Sequence, residues 1–160
     1  MKVIIGSDHA GYSLKEGIKE YLNKSETEIV DVGTDSDEPV DYPDFGSRVA
    51  EKVSSGEFKR GILVCGSGVG MTIVANKFPG VRAALSLDVE TARLSRMHND
   101  SNILSLAGRK TDIETAKNII KTWLETEFEG GRHKRRLDKI KNIEFEVSGS
   151  KFNQNLKLQT

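Results

Sequence analysis

The chain has 160 residues, 36% of them hydrophobic and 30% charged, and its 24 basic and 24 acidic side chains cancel to a net charge of zero. That length predicts one domain, burying about 70% of its unfolded surface, and the charge balance argues against a nucleic-acid or membrane-surface role, which needs a basic field. A single cysteine excludes an intrachain disulfide and a thiolate-only metal site. With neither a leader-like apolar segment nor a membrane-spanning stretch to read, the expectation is a cytoplasmic protein.

Five short apolar runs read as strands: Val3–Ser7, Ile29–Val32, Ile62–Cys65, Val81–Ser86 and Ile103–Ala107. Helical patterns separate them. Ser13-Leu14-Lys15-Glu16 reads as a capping box ahead of Leu14, Ile18, Tyr21 and Leu22 on one face. Pro43 suits a first helical position, and Phe45, Val49 and Val53 follow at intervals of four. Asp88 can cap a helix carrying Val89, Ala92 and Met97. Thr111-Asp112-Ile113-Glu114 reads as a second capping box, opening a stripe of Ile113, Ala116, Ile120, Trp123 and Leu124. Gly130-Gly131 is expected to end that helix, and Arg132 to begin another. Strand alternating with helix predicts a three-layer α/β/α sandwich around a five-stranded, mostly parallel sheet of Rossmann-like type. Residues 1–149 read as one domain and residues 150–160 as a polar tail, loose or lying on a partner chain.

Ligands of such folds bind beyond the carboxyl ends of the strands, and three of those ends carry unusual residues. Asp8 and His9 follow the first strand, Cys65 to Gly70 the third, and Gly108-Arg109 the fifth. A lone cysteine at a strand end is most often a small buried hydrophobe. The loop Gly66-Ser67-Gly68-Val69-Gly70 shifts that balance, because a glycine-rich turn can point backbone N–H groups at an anion beside the thiol. The loop begins like a dinucleotide fingerprint, with Asp88 at a suitable distance, but Met71 stands where the third glycine is required. The Gly-Lys-Ser/Thr ending of a nucleotide phosphate loop is missing too.

Each remaining candidate has an ordinary reading beside the functional one. Asp8 reads equally as a turn cap, and His98 as a helix-terminal residue. The three histidines, His9, His98 and His133, show no metal-ligand spacing, so no metal or cofactor is expected. In the run Arg132 to Arg136, Lys134 and Arg135 read as a solvated face. Arg132 and Arg136, four apart, project together from a helix and suit a small phosphorylated ligand.

Taken together, Gly6-Ser7-Asp8-His9-Ala10-Gly11, Asp41-Tyr42-Pro43, Cys65-Gly66-Ser67-Gly68-Val69-Gly70, Ala75-Asn76-Lys77, His98-Asn99-Asp100 and Gly130-Gly131-Arg132-His133 resemble the type B ribose-5-phosphate isomerase family, related to allose- and galactose-6-phosphate isomerases. The likeness covers about residues 1 to 145. It implies a cofactor-free aldose–ketose isomerase, a homodimer or dimer of dimers, and active sites shared between subunits. On this chain it implies that Cys65 moves the proton between C2 and C1, and that His98 opens the furanose ring. Gly66, Gly68, Val69 and Gly70, with the Ser67 hydroxyl, would hold the enediolate oxygen. Asp8 and Asn99 would contact sugar hydroxyls, Tyr42 would line the pocket, and His9, Arg109, Arg132 and Arg136 would bind phosphate, some across the subunit interface. Met71 replaces the glutamate base used by one branch, and Ser67 the family's frequent threonine. A reading of another class is a doubly wound module that binds a nucleotide or phosphometabolite without catalysis; it leaves Cys65, His98 and Asp8 without a joint role.

Overall fold

The computed structural model describes residues 1–143, so the 150–160 tail lies outside the described residues. The chain divides into two compact units, Met1–Phe128 and Glu129–Thr160. In the first unit five parallel strands, β1 (Lys2–Ser7), β2 (Glu28–Asp31), β3 (Gly61–Cys65), β4 (Ala83–Leu85) and β5 (Ile103–Ala107), lie in the order β2-β1-β3-β5-β4. Four helices join them, α1 (Tyr12–Asn23), α2 (Tyr42–Ser54), α3 (Val69–Ala75) and α4 (Val89–Asn99), and α5 (Ile113–Glu125) follows the last strand. In the second unit residues 131–143 are helical.

β3 is buried along its whole length because it is the middle strand, which is why it reads as an unbroken apolar run and not as an alternation. The pleat sends Ile62 and Val64 to one face, with Val3, Ile5, Leu104 and Leu106. There α1, α4 and α5 supply Leu14, Ile18, Ala92, Ala116, Ile120 and Trp123. The other face takes Ile4, Leu63, Cys65 and Ile103, covered by Val49, Ala50 and Val53 of α2 and by Met71 and Ala75 of α3. The α/β/α sandwich is as expected. β1, β3 and β5 are neighbours, so the three loop-bearing strand ends stand side by side.

Several local expectations change. α1 begins at Tyr12, and Ser13 lies inside its first turn instead of capping it. A 3₁₀ turn, His9–Gly11, precedes the helix, and Asp8 caps that turn by accepting from the Gly11 N–H at 2.9 Å. Asp88 does cap α4, accepting from the Thr91 N–H. α5 is capped by Asp112 and not by Thr111, since it is the Asp112 side chain that reaches the Thr115 N–H. That helix stops at Glu125, well before Gly130-Gly131, because Thr126 is already extended. β4 keeps only Ala83–Leu85 of the predicted run: it is an edge strand paired to β5 alone.

Candidate active site

The C-terminal edge of β1, β3 and β5 brings together Asp8, His9, the Cys65–Gly70 loop and Arg109. In a doubly wound sheet the reversal of strand order between β1 and β3 opens a crevice at this edge. The β1 ladder runs on into the loop, with the Asp8 N–H donating to Val64 O at 3.3 Å. Across β3 and β5, the Gly108 N–H donates to Cys65 O at 2.8 Å and the Arg109 N–H to Gly66 O at 3.1 Å. Gly11 makes this closeness possible: a β-carbon there would collide with the Val64 carbonyl. Ala10 and the Arg109 Nε both sit 3.4 Å from where a Gly66 β-carbon would stand.

Cys65 ends β3 with 4% of its surface exposed, facing the α2/α3 side of the sheet. Its thiol is free of any disulfide. Gly68 has φ of 76°, a left-handed conformation that lets the loop turn directly into α3. Ser67 is exposed, and its Oγ accepts from the Val69 N–H at 3.3 Å. The Tyr42 ring, 40% exposed, lies against Gly70, with Cε2 and Cζ 2.8 Å from an imagined β-carbon. His9 Nδ1 stands 3.2 Å from both the N and the O of Val40, so the loop between β2 and α2 holds its ring.

His98 and Asn99 are not in this group. They form the last turn of α4, which runs back against the strand direction and ends four residues before β5 starts. The Asn99 carbonyl accepts from Arg82 Nε at 3.1 Å, just ahead of β4. That is the N-terminal edge of the sheet. Cys65 pairs with Ala107 at the other end of β5, and at about 3.3 Å per residue the strand alone separates the two edges by about 13 Å. In the second unit Arg132 and Arg136 are exposed, one turn apart on the helix, with Arg132 Nε donating to His133 Nε2 at 3.2 Å.

The structure also shows residues that reading the chain did not single out. Lys15 is 1% exposed. Its ammonium meets Asp31 Oδ2 at 2.6 Å, Thr34 O at 2.8 Å and Glu16 Oε1 at 3.0 Å. Burial opposes ionisation of Asp31, but hydrogen bonds from Lys15, Lys19 and the Gly33 N–H outweigh it and hold its carboxyl below the usual range. The cluster ties down the start of the loop that carries Val40 and leads into α2 at Tyr42. No periodicity reports it, because Lys15 occupies a position that reads as solvent-facing.

The model of the family described as Ribose/Galactose Isomerase matches residues 3–140. The chain is 46% identical over 143 residues to ribose-5-phosphate isomerase B of Escherichia coli, spanning 89% of this chain and 96% of that protein. It is 49% identical over 145 residues to a putative sugar phosphate isomerase of Bacillus subtilis, spanning 90% and 97%. Among solved structures, ribose-5-phosphate isomerase B of Clostridium thermocellum superposes with a TM-score of 0.90 at 52% identity, covering 92% of this chain and 99% of that one. The Mycoplasma genitalium enzyme with bound ribulose-5-phosphate gives 0.87 at 44% identity, covering 91% and 97%.

Proposed function

The chain belongs to the Ribose/Galactose Isomerase family, and from that premise we propose that it interconverts D-ribose 5-phosphate and D-ribulose 5-phosphate through an enediolate formed at Cys65. The observation that carries this is the meeting of the Asp8-His9, Cys65–Gly70 and Gly108-Arg109 loops at one sheet edge, next to a thiol. The Cys65 thiolate takes the C2 proton, the C–H electron pair becomes the C1–C2 double bond, and negative charge lands on O1. Transfer of the O2 proton to O1 and return of the sulfur-borne proton to C1 complete the ketose. Backbone N–H groups of Gly66, Gly68, Val69 and Gly70, with the Ser67 hydroxyl, face the developing oxyanion, and each such donor is worth about 10²–10³ in rate. Asp8 and Asn99 hold sugar hydroxyls, and Tyr42 walls the pocket. His9, Arg109, Arg132 and Arg136 bind the phosphate, some of them from a second copy across the subunit interface, which fixes C1 and C2 against the sulfur. No step calls for a cofactor.

His98 is read as the ring-opening residue, and its place at the opposite edge from Cys65 supports a site completed by a second copy of the chain. A candidate contact surface rims the cysteine loop: Val69 and Ile73, one turn apart on α3, and Leu87 and Val89 at the head of α4 are all exposed. Two copies sharing sites in a homodimer, or in a dimer of dimers, account for that rim and for the distance together.

Incubation with ribose 5-phosphate in deuterated water, with a chelator present, tests the chemistry. Solvent deuterium in the ribulose 5-phosphate formed supports it; a failure to convert the sugar supports the non-catalytic binding module. Running allose 6-phosphate and galactose 6-phosphate alongside decides between five- and six-carbon substrates.

A further inference from the structure

Asp100 is the one non-glycine residue with a positive φ, 44°, among the described residues. It follows His98 and Asn99 and closes α4, donating its N–H to Arg96 O at 3.1 Å while Ser101 N–H donates to Ser95 O at 3.0 Å. Glycine is the usual occupant of such a left-handed helix stop, since a β-carbon is strained there. What aspartate adds is a carboxylate gripped from two sides. Its Oδ1 accepts from Arg96 Nη1 at 2.7 Å and its Oδ2 from Arg82 Nη2 at 2.9 Å. Arg82 Nε also donates to the carbonyls of Asn99 and Asp100, at 3.1 and 3.0 Å. Arg96 is 3% exposed, and its Nη1 is held by Ser101 O at 2.7 Å. Ser101 Oγ in turn accepts from the buried Trp123 Nε1 at 2.8 Å. The last turn of α4 is therefore anchored to the ends of two neighbouring elements and to the core.

Stopping a helix requires none of this, but holding one turn in a fixed direction does. We infer that Asp100, clamped by Arg82 and Arg96, is a positioning residue that aims His98 for ring opening. This rests on the isomerase reading and adds a step-specific role to it. The chemistry separates that step from proton transfer. Ribose 5-phosphate closes a furanose through O4, so its ring must open before C2 is acidic. Ribulose 5-phosphate cannot close a furanose, because the C5 oxygen it would use carries the phosphate. A chain that aims its ring-opening turn badly loses the forward reaction and still exchanges protons on the open-chain ketose.

Two rates are compared in Asp100→Gly, which relieves the backbone but removes the clamp: conversion of ribose 5-phosphate, and solvent-deuterium uptake at C1 of ribulose 5-phosphate. Conversion is expected to fall about 10²-fold, the cost of a misplaced group, with deuterium uptake within about threefold of the parent chain. Arg82→Lys keeps the charge but loses the planar fork; the same selective loss, near tenfold at about one lost orienting contact, carries the test should Asp100→Gly fail to fold. Equal loss of both rates, or loss of neither, overturns the assignment. Absence of both rates in the parent chain defeats the isomerase reading itself, and the assignment with it.

Discussion

Around Cys65 the chain meets itself through backbone, whereas around Asp100, at the opposite edge of the sheet, it is tied by charged side chains. Around Cys65, amide–carbonyl bonds join three loops, and Gly11, Gly66 and Gly108 sit where neighbouring chain passes close. Around Asp100, Arg82 and Arg96 converge on one carboxylate, with Arg60 stacked 5.8 Å over Trp123. Burial, and then the nearby charges of Arg96 and Arg82, lower the proton affinity of Arg60. The difference follows from what each edge has to do. An amide-lined loop offers donors that stay fixed while charge develops, and it brings no counter-charge of its own into a sugar pocket. A helix end that has to present side chains outward needs directional, multi-point anchoring, which guanidinium forks supply.

Replacing Cys65 with alanine attacks the first edge most directly: isomerisation is expected to fall by about 10²–10⁴-fold while phosphate-ligand binding, followed by calorimetry, persists. Near-normal turnover in that variant removes sulfur from the mechanism. The two edges are then tested against each other by mixing inactive Cys65→Ala and His98→Ala chains. If they meet across a subunit interface, equal mixing restores about a quarter of parental activity, the yield of one intact site per mixed dimer; continued inactivity argues for sites within single chains.

Stability should follow the same division. Gly11→Ala forces a β-carbon onto the Val64 carbonyl and is expected to cost about 3 kcal/mol or more by denaturant titration. Asp31→Asn leaves the Lys15 ammonium buried with weaker partners, at about 3 kcal/mol. The folded pKa of Asp31 is depressed, so its contribution is complete above about pH 4 and is lost as pH falls through the folded value. The gap between parent and variant should close in acid; a gap independent of pH removes the ion pair as its cause. On the other edge Ser101→Ala strands the buried Trp123 N–H, a cost of about 1–3 kcal/mol visible as a lowered Tm.

The legible parts of the site were those carried by local sequence. Cys65 with its glycine loop, Asp8-His9 and Gly108-Arg109 all follow apolar runs, and a parallel sheet sends every such end to the same side. The Lys15 cluster was not legible, since its partners Asp31 and Thr34 lie 16 and 19 residues away. A turn capped by Asp8 was legible, but its length was not: the 3₁₀ turn over His9–Gly11 displaced the capping box expected at Ser13.

By itself the sequence determined the alternation of strand and helix, the unbroken apolar run of the third strand and the family motifs, because periodicity, glycine and capping chemistry act over a few residues. Only the tertiary structure decided that β3 lies between β1 and β5 and that His98 and Asn99 leave the sheet at the edge opposite Cys65. Strand order and helix direction are set by which apolar faces cover one another across the whole unit, a long-range choice that no short stretch of chain encodes.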